Sequence, residues 1–478
     1  MAERSFSIHA HFYQPPREDP LTGAIPKEPG ASPYLNWNER IHAECYRPNA
    51  EQGNFEQISF NVGPTLCNWM AAHDPETCHK IVKQDRRNVL RNGVGNAIAQ
   101  AYNHTILPLA SSRDKETQVA WGIADFTYRF GRKPQGLWLP ETAVDYETLD
   151  VLARQGIAFT ILAPWQAEDA QIDPTEPYQV DLPGGRSITV FFYQKDLSAR
   201  LSFDAGATVN ADSFAEYVLL SQFSREKERK GEPQLILVAS DGELYGHHQY
   251  LRDRFLARLV DGATSQLGIH PTYPALWLQR FPPRQSTKIR EETSWSCHHG
   301  VTRWMGQCDC TPSGNDWKAQ LRFALERLAS ELDGLYLDLT RPFVKDPWDL
   351  RNRYIEVMLG QTSAGRLIEA MAGQALPEAK VRSLHLMLEA QRERQRMFTS
   401  CGWFFEDFDR IEPRNNVAYA AQATRLAYLA TGVNLEPMAI KLLKRVTSQR
   451  SKARADQVFQ RHLRRAEAFA NDHMGYAP

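Results

Sequence analysis

The sequence predicts an α/β fold, an incomplete TIM-like barrel, followed by an all-α C-terminal domain. Short apolar runs alternate with helix-like segments as far as residue 280, which is typical of parallel strands buried on both faces. Beyond a Pro-Pro linker at residues 281–284, almost every segment has the spacing of an amphipathic helix. A chain of 478 residues also suits two domains better than one core. We therefore predict a barrel over residues 1–282 and a helical domain over residues 283–478.

The predicted barrel has about seven strands, one fewer than the usual eight. Alternation of apolar and polar residues predicts a strand at residues 5–11. Largely apolar runs that end in turn residues predict strands at residues 57–62, 96–102, 136–141, 157–162, 187–192 and 235–239. Helical periodicity predicts intervening helices at residues 114–130, 145–155 and 213–230.

The predicted C-terminal domain begins after a stretch rich in Trp and Cys at residues 291–317, which we expect to line the cleft of the barrel. Leucines spaced for one helix face follow at residues 321–335. Further helices are predicted at residues 348–371, 377–398, 416–431 and 439–468.

Composition excludes several function classes. The formal net charge is −1, so no overall field favours nucleic acid or a membrane surface, and no run is apolar and long enough to span a bilayer. The seven cysteines are scattered, which favours reduced thiols. The first nine residues lack the apolar core of a signal peptide. We expect a cytoplasmic protein, with no prediction of its oligomeric state.

Polar residues follow most of the predicted strands. In an α/β barrel the loops after the strands share one rim, where active sites form. The side chains expected at this rim are those of His11, Asn61, Asn103, His104, Glu141 and Asp241. His9 and His11 share one face of the first strand, since strand residues alternate with period two.

Two of these rim residues are acids that end apolar strands. Glu141 and Asp241 could simply cap helices, but as a pair they provide a nucleophile or base and a proton donor, which glycoside cleavage requires. Glu243 could be a third acid that shifts the pKa of the donor, if the strand continues past Gly242.

Four segments, in chain order, resemble the motifs of glycoside hydrolase family 57. They are HAHFYQP at residues 9–15, YNHTILPL at 102–109, GLWLPE at 136–141 and DGELYGHH at 241–248. Residues 293–300 and 400–407 resemble a branch of that family whose helical C-terminal domain has no assigned role. The sequence departs from the family pattern where Phe12-Tyr13 interrupts the first motif and where His247-His248 ends the last, positions that concern substrate contacts.

The resemblance implies a (β/α)7 barrel and a retaining, double-displacement mechanism on an α-glucan or maltooligosaccharide, as in an amylase, a 4-α-glucanotransferase or a branching enzyme. It makes Glu141 the nucleophile and Asp241 the general acid/base, and no cofactor is expected. A retaining pair stands about 5–5.5 Å apart. The candidates for substrate contact are His9, His11, His104, Trp138, Glu243, His247, Trp295 and His298.

Two alternatives remain open from sequence alone. A metal-dependent polysaccharide deacetylase would use His9 and His11 as ligands, although no His-x3-His pair follows on a helix. A non-catalytic glucan-binding protein would bind without turnover.

The Trp- and Cys-rich stretch has its own two interpretations. Zinc could be held by some of Cys297, His298, His299, Cys308 and Cys310. The spacing contains no Cys-x2-Cys pair, and we therefore predict a metal-free loop near the sugar.

Overall fold

The chain forms two compact units. The computed structural model describes residues 3–474, so Met1 and Ala2, which begin the segment interpreted as lacking a signal peptide, lie outside the described residues. The first unit comprises residues 1–16, 27–102 and 125–295, and the second comprises residues 17–26, 103–124 and 296–478.

All strands of the described residues belong to the first unit. They are β1 Arg4–Phe12, β2 Ser59–Val62, β3 Ala99–Gln100, β4 Leu137–Trp138, β5 Phe159–Leu162, β6 Tyr178–Leu182, β7 Arg186–Phe192, β8 Gln234–Asp241, β9 His270–Pro271 and β10 Gln285–Ser286.

Strand β1 lies between β2 and β8, and all three run parallel. The register aligns His11 with Asn61 of β2 and with Asp241 of β8. Residues 5–12 of β1 are buried throughout, as expected of a parallel strand covered on both faces. Three polar residues therefore stand side by side where neighbouring strands end.

Further parallel pairings extend the fold beyond β2. Strand β3 pairs with β4, and β5 with β7, while single parallel bridges join Phe60 to Ala97 and Gly136 to Phe159. Gly136 makes this close approach possible, because a Cβ there would lie 2.4 Å from the Phe159 ring. Apolar side chains of β4, β5, β7 and β8 form a common core. The predicted α/β class is confirmed.

The strands differ from prediction where the apolar pattern misleads. Strand β6 was missed because its residues are buried and exposed in alternation, and it pairs antiparallel with β7 across the Pro183–Gly185 turn. The strand predicted at residues 96–102 is only two residues long. Asn96 instead uses its side-chain amide to donate to the carbonyl oxygens of Phe55 (2.6 Å) and Ile58.

The helices up to residue 280 are α1 Trp37–Ile41, α2 Arg47–Gln52, α3 Asn54–Gln57, α4 Pro64–His73, α5 Pro75–Asn92, α6 Ser112–Phe130, α7 Tyr146–Arg154, α8 Lys195–Phe203, α9 Ala211–Phe214, α10 Arg225–Lys230, α11 Arg252–Arg258, α12 Thr264–Gln266 and α13 Pro274–Arg280. The helices predicted at 114–130 and 145–155 are confirmed as α6 and α7. Asp145 caps α7 by accepting from the Thr148 amide at 2.7 Å. The helix predicted at 213–230 is broken between α9 and α10 by π-helical and 3-10 turns.

The C-terminal region is helical, as predicted. Its helices are α14 Trp317–Thr340, α15 Pro347–Arg353, α16 Ile355–Met358, α17 Ala364–Ala372, α18 Glu378–Arg396, α19 Cys401–Phe404, α20 Ile411–Thr431, α21 Glu436–Leu443 and α22 Ala455–Met474. Within the described residues, none of the helices has the length and apolarity that a bilayer crossing requires.

Two predicted C-terminal helices are interrupted. The one at 348–371 is divided near Gly360, whose φ of 70° ends a helical segment, and Ser363 then caps α17. The one at 439–468 is divided by a turn in which Thr447 bridges Arg454. Helical periodicity alone did not reveal these breaks.

Candidate active site

Glu141 lies in a strained turn directly after β4. It adopts φ 57° and ψ 20°, and Thr142 has φ 48°. A left-handed backbone at non-glycine residues costs roughly 1–3 kcal/mol and concentrates at functional sites. The Thr142 hydroxyl donates to Gln166 Oε1 at 2.9 Å, and Gln166 Nε2 donates to the Thr142 carbonyl at 2.8 Å. This buried pair fixes the turn.

Trp295 holds the Glu141 carboxylate in one orientation. Its indole Nε1 donates to Glu141 Oε2 at 3.0 Å, and its backbone N–H donates to the Glu141 carbonyl, also at 3.0 Å. The Trp295 ring packs edge-on against Trp138, with centroids 5.1 Å apart. These two hydrogen bonds from one residue orient both the carboxyl group and the backbone of Glu141.

Asp241 is the last residue of β8. The residue is exposed to solvent, although protein atoms surround its carboxyl group densely enough to desolvate it. Burial and the negative charge of Glu141 raise the pKa of Asp241 to about 7. The two acids predicted from sequence are thus close enough to couple, and Asp241 is the one that retains a proton near neutral pH.

Glu243 lies just beyond the strand, in a 3-10 turn, and is buried. Its Oε1 accepts from the Tyr46 hydroxyl at 2.7 Å and from the Tyr13 backbone N–H at 3.1 Å. Burial raises the pKa of Glu243 to about 8, Tyr46 opposes that shift, and the charge of Asp241 adds to it. We expected Glu243 to shift the pKa of Asp241, but the like charge that does so is that of Glu141.

His9 and His11 form a hydrogen-bonded row with Asn61. His9 is fully buried and bonds Ser59 Oγ through Nδ1 at 2.9 Å and Asn61 Oδ1 through Nε2 at 3.1 Å. Asn61 Nδ2 also lies 3.0 Å from His11 Nδ1 and 2.7 Å from Gln100 Oε1. Burial lowers the pKa of His9 to about 3 and that of His11 to about 4, so both rings are neutral at pH 7.

Trp138 backs this row. Its ring stacks on His9 with centroids 4.6 Å apart and on His11 with centroids 5.3 Å apart. Trp138 and His9 are fully buried, and their contact with substrate stays a prediction. Both ring nitrogens of His9 are engaged by Ser59 and Asn61, which also leaves none for the metal that a deacetylase would need.

His247 lies at the edge of the first unit's site residues. Its Nδ1 is 2.5 Å from Glu44 Oε2, and its ring meets Trp37 edge-on with centroids 5.9 Å apart. The motif prediction identified His247 but not its acidic partner.

Two other predicted site residues, His104 and His298, belong to the second unit. His104 is buried, has φ 53°, and places Nδ1 2.7 Å from Ser400 Oγ. The Ser400 backbone N–H donates to the His104 carbonyl at 3.0 Å. His298 is exposed.

Sequence reasoning missed several residues that shape the site. Tyr46, Ser59, Gln100 and Glu44 provide its hydrogen bonds. Ser59 and Gln100 belong to β2 and β3, so strand-end reasoning could have suggested them. Tyr46 and Glu44 come from a π-helical turn within a region that we left unassigned.

The family profile of glycosyl hydrolase family 57 matches residues 9–290 of the sequence, more than half of the chain. The chain belongs to glycosyl hydrolase family 57. A second profile, named domain of unknown function (DUF3536), matches residues 314–472 of this family 57 protein. The predicted family and glycoside hydrolase or transglycosylase class are confirmed.

Solved structures share the fold of this family 57 protein. An exo-type maltose-forming amylase from Pyrococcus sp. ST04 aligns with a TM-score of 0.74 at 18% identity, covering 96% of this chain and 88% of the amylase. A GH57-type branching enzyme from Pyrococcus horikoshii aligns with a TM-score of 0.64 at 16% identity, covering 95% of this chain and 96% of the branching enzyme. A search of curated protein sequences gives no significant match.

Proposed function

We propose that this family 57 protein is a retaining enzyme that cleaves α-glucosidic bonds of an α-glucan or maltooligosaccharide, with Glu141 as nucleophile and Asp241 as general acid/base. The observation that carries the proposal is the electrostatic coupling of Asp241 to Glu141, two carboxyls that follow different strands. One charged and one protonated carboxyl are what a double displacement requires.

In the first step, the Glu141 carboxylate attacks the anomeric carbon while Asp241 donates its proton to the glycosidic oxygen. The C–O bond to the leaving sugar breaks and a glycosyl ester forms on Glu141. Asp241, now ionised, then removes a proton from an incoming hydroxyl, whose oxygen displaces Glu141. Water as acceptor gives hydrolysis, and a sugar hydroxyl gives transfer.

The neighbouring groups suit these roles. The indole N–H of Trp295 donates to Glu141 Oε2 and holds the carboxyl group in one orientation for attack. Neutral His9 and His11 add no positive charge that would lower the pKa of Asp241. We assign His9 and Trp138 a positioning role, since both are buried. We assign Trp295 and His11 the role of contacting the sugar. For His104, Glu243, His247 and His298 the predicted substrate contact stays a prediction.

A seven-stranded (β/α)7 barrel is the fold that we propose for this catalysis. It is supported by the parallel pairings of β8 with β1 and β1 with β2, the bridges onward to β3, β4, β5 and β7, and a hydrogen bond of 2.7 Å from the Gln194 N–H to the Leu237 carbonyl, which links the end of β7 to β8. Strands β6, β9 and β10 lie outside this series.

We further propose that residues 1–282 make up the catalytic barrel and residues 283–478 the helical domain. The compact units differ in detail, because residues 283–295 group with the first unit and residues 17–26 and 103–124 with the second. Cytoplasmic location, expected from the scattered cysteines, stays a prediction.

The test is Glu141→Gln assayed on maltooligosaccharides, amylose and a branched glucan. We expect kcat to fall by a factor on the order of 10⁴ or more, as when a nucleophile is removed. Azide added to Glu141→Gly should restore turnover and give a glycosyl azide of inverted configuration. The exposed Glu147, in α7, provides the control, and Glu147→Gln should keep wild-type rates.

The products that the wild type forms from these three substrates distinguish hydrolysis from transfer, and cleavage of α-1,4 from cleavage of α-1,6 linkages. Full activity of Glu141→Gln on every active substrate would refute the proposal. Glucan binding without turnover by the wild type would indicate a non-catalytic binding protein instead.

A further inference from the structure

Four potential metal ligands converge within the second unit. Cys297, His299, Cys308 and Cys310 place one sulfur or nitrogen atom each within 4.8 Å of one another. The Sγ atoms of Cys297 and Cys308 are 3.5 Å apart, and His299 Nδ1 lies 3.4 Å from Cys308 Sγ and 3.5 Å from Cys310 Sγ.

These separations match the edges of a tetrahedral zinc site. Zinc binds sulfur at about 2.3 Å and imidazole nitrogen at about 2.0–2.1 Å, so tetrahedral ligands would stand about 3.8 Å apart for two sulfurs and about 3.6 Å apart for sulfur and nitrogen. Three thiolates and one imidazole complete four-coordination, which is the ligand set of a structural zinc site.

The local chain conformation holds the ligands in place without long elements of secondary structure. The Gly300 N–H donates to the Cys297 carbonyl at 3.2 Å, and the Thr302 hydroxyl donates to the His299 carbonyl at 2.7 Å. The Thr311 N–H donates to the Cys308 carbonyl at 3.0 Å. This last turn brings both sulfurs of the Cys-x-Cys pair to one imidazole, which the sequence spacing alone did not indicate.

Burial distinguishes the cluster from scattered surface thiols. Cys297 and Cys308 are buried, Cys310 is half-buried and His299 is exposed. Only one short 3-10 turn, Thr302–Trp304, lies between residues 297 and 310. A segment of this length with so little regular structure needs another source of order, and a metal cross-link provides one.

We propose that Cys297, His299, Cys308 and Cys310 bind one zinc ion in a closed structural site that fixes residues 297–310. The proposal replaces the metal-free loop expected from sequence. It is independent of the proposed glycosidase chemistry, because none of the four ligands has been given a role in that chemistry.

Zinc content of the full-length, untagged protein tests the proposal. Elemental analysis by mass spectrometry should find about one zinc per chain in the wild type and in Cys78→Ser, whose cysteine lies in α5. Cys310→Ser and His299→Ala should lose most of the zinc, whereas His299→Cys should keep it. Cobalt exchanged into the wild type should give the intense visible absorption of a tetrahedral thiolate site.

A chelator provides a measurement that does not depend on the variants folding. It should lower the Tm of the wild type, and added zinc should restore it. The proposal is overturned if the wild type contains no zinc, or if folded Cys310→Ser and His299→Ala keep it. Alkylation and intact mass that reveal a Cys297–Cys308 disulfide in the freshly purified protein would also overturn it.

Discussion

Burial acts to raise the pKa of both Asp241 in the first unit and Asp114 in the second, yet the two pKa values are displaced in opposite directions. Burial and the charge of Glu141 raise the pKa of Asp241 to about 7. Burial acts in the same upward direction on Asp114, but the charges of Arg394 and Arg351 outweigh it and lower the pKa to about 2.

The contacts explain the difference. Arg394 Nη1 donates to one Asp114 oxygen at 2.6 Å, and Gln395 Nε2 donates to the other at 2.7 Å, with Arg351 Nη2 3.2 Å away. Arg394 also donates to Asp333 at 2.8 Å. This network supplies the cations that a buried carboxylate needs. At Asp241 the pKa is determined mainly by burial and a like charge. This arrangement lowers folding stability but keeps a proton that the carboxyl group can donate.

Of the substitutions that test this contrast, Asp241→Asn, which removes that proton, should have the largest effect. We expect kcat/KM on maltooligosaccharides to fall by roughly 10²–10⁴-fold, the usual contribution of a general acid. Aryl glucosides with good leaving groups should be much less affected in the first step, because they need no protonation. An equal loss on both substrate types would contradict the role of Asp241 as acid.

The pH dependence follows from the same group. Asp241 is an acid only while protonated, and its pKa of about 7 places the loss of wild-type kcat/KM on the alkaline side, as pH rises through about 7. Asp241→Asn should abolish this limb. Because its pKa is raised on folding, ionisation of Asp241 also lowers stability as pH rises from about 4 through 7.

Asp114→Asn should affect folding rather than chemistry. It leaves Arg351 and Arg394 buried with less compensating charge, so we expect the free energy of unfolding to fall by about 3–5 kcal/mol. The stability that ionised Asp114 contributes to the wild type should be present above about pH 4 and lost as pH falls towards 2, since the pKa of Asp114 is lowered on folding. Urea unfolding at several pH values measures both effects.

The control for that experiment is Asp338→Asn, on an exposed position of α14, which should change stability by less than about 0.5 kcal/mol. Turnover per folded molecule should stay at the wild-type level in both variants. A large loss of kcat in folded Asp114→Asn would show that the ion network reaches the chemistry.

The fold could be predicted where burial leaves a regular pattern. Strands β5 and β8 are apolar runs that are buried at nearly all positions, so composition identified them, and β1 was identified by the alternation of apolar and polar residues. The breaks near Gly360 and at residues 444–454 were missed, because tertiary packing and turns decided them while the helical periodicity continued. Strand β3 was predicted too long, because the apolar pattern of residues 96–102 continues beyond the residues that pair with β4.

The two acids of the site could be predicted from the sequence, but most of the residues that hold them in place could not. Glu141 and Asp241 follow apolar strands, a signal that sequence shows directly. The left-handed turn at Glu141 and its partner Trp295 depend on contacts 154 residues apart, which no local pattern encodes. His9 was identified correctly as a strand residue, but only the structure reveals that it is buried and bonds Ser59 and Asn61.

Trp295→Phe should have the smallest effect of these substitutions, and it tests directly how Glu141 is oriented. Phenylalanine keeps an aromatic ring against Trp138 but cannot donate to the carboxylate, and a hydrogen bond to a charged group is worth about 1.5–3 kcal/mol. We therefore expect kcat/KM to fall by about 10–100-fold. Trp277→Phe is the matched control, since its indole N–H has no hydrogen-bond partner among the described residues and its ring belongs to the same apolar cluster. Equal losses in both variants would show that ring packing rather than the donated hydrogen bond supports Glu141.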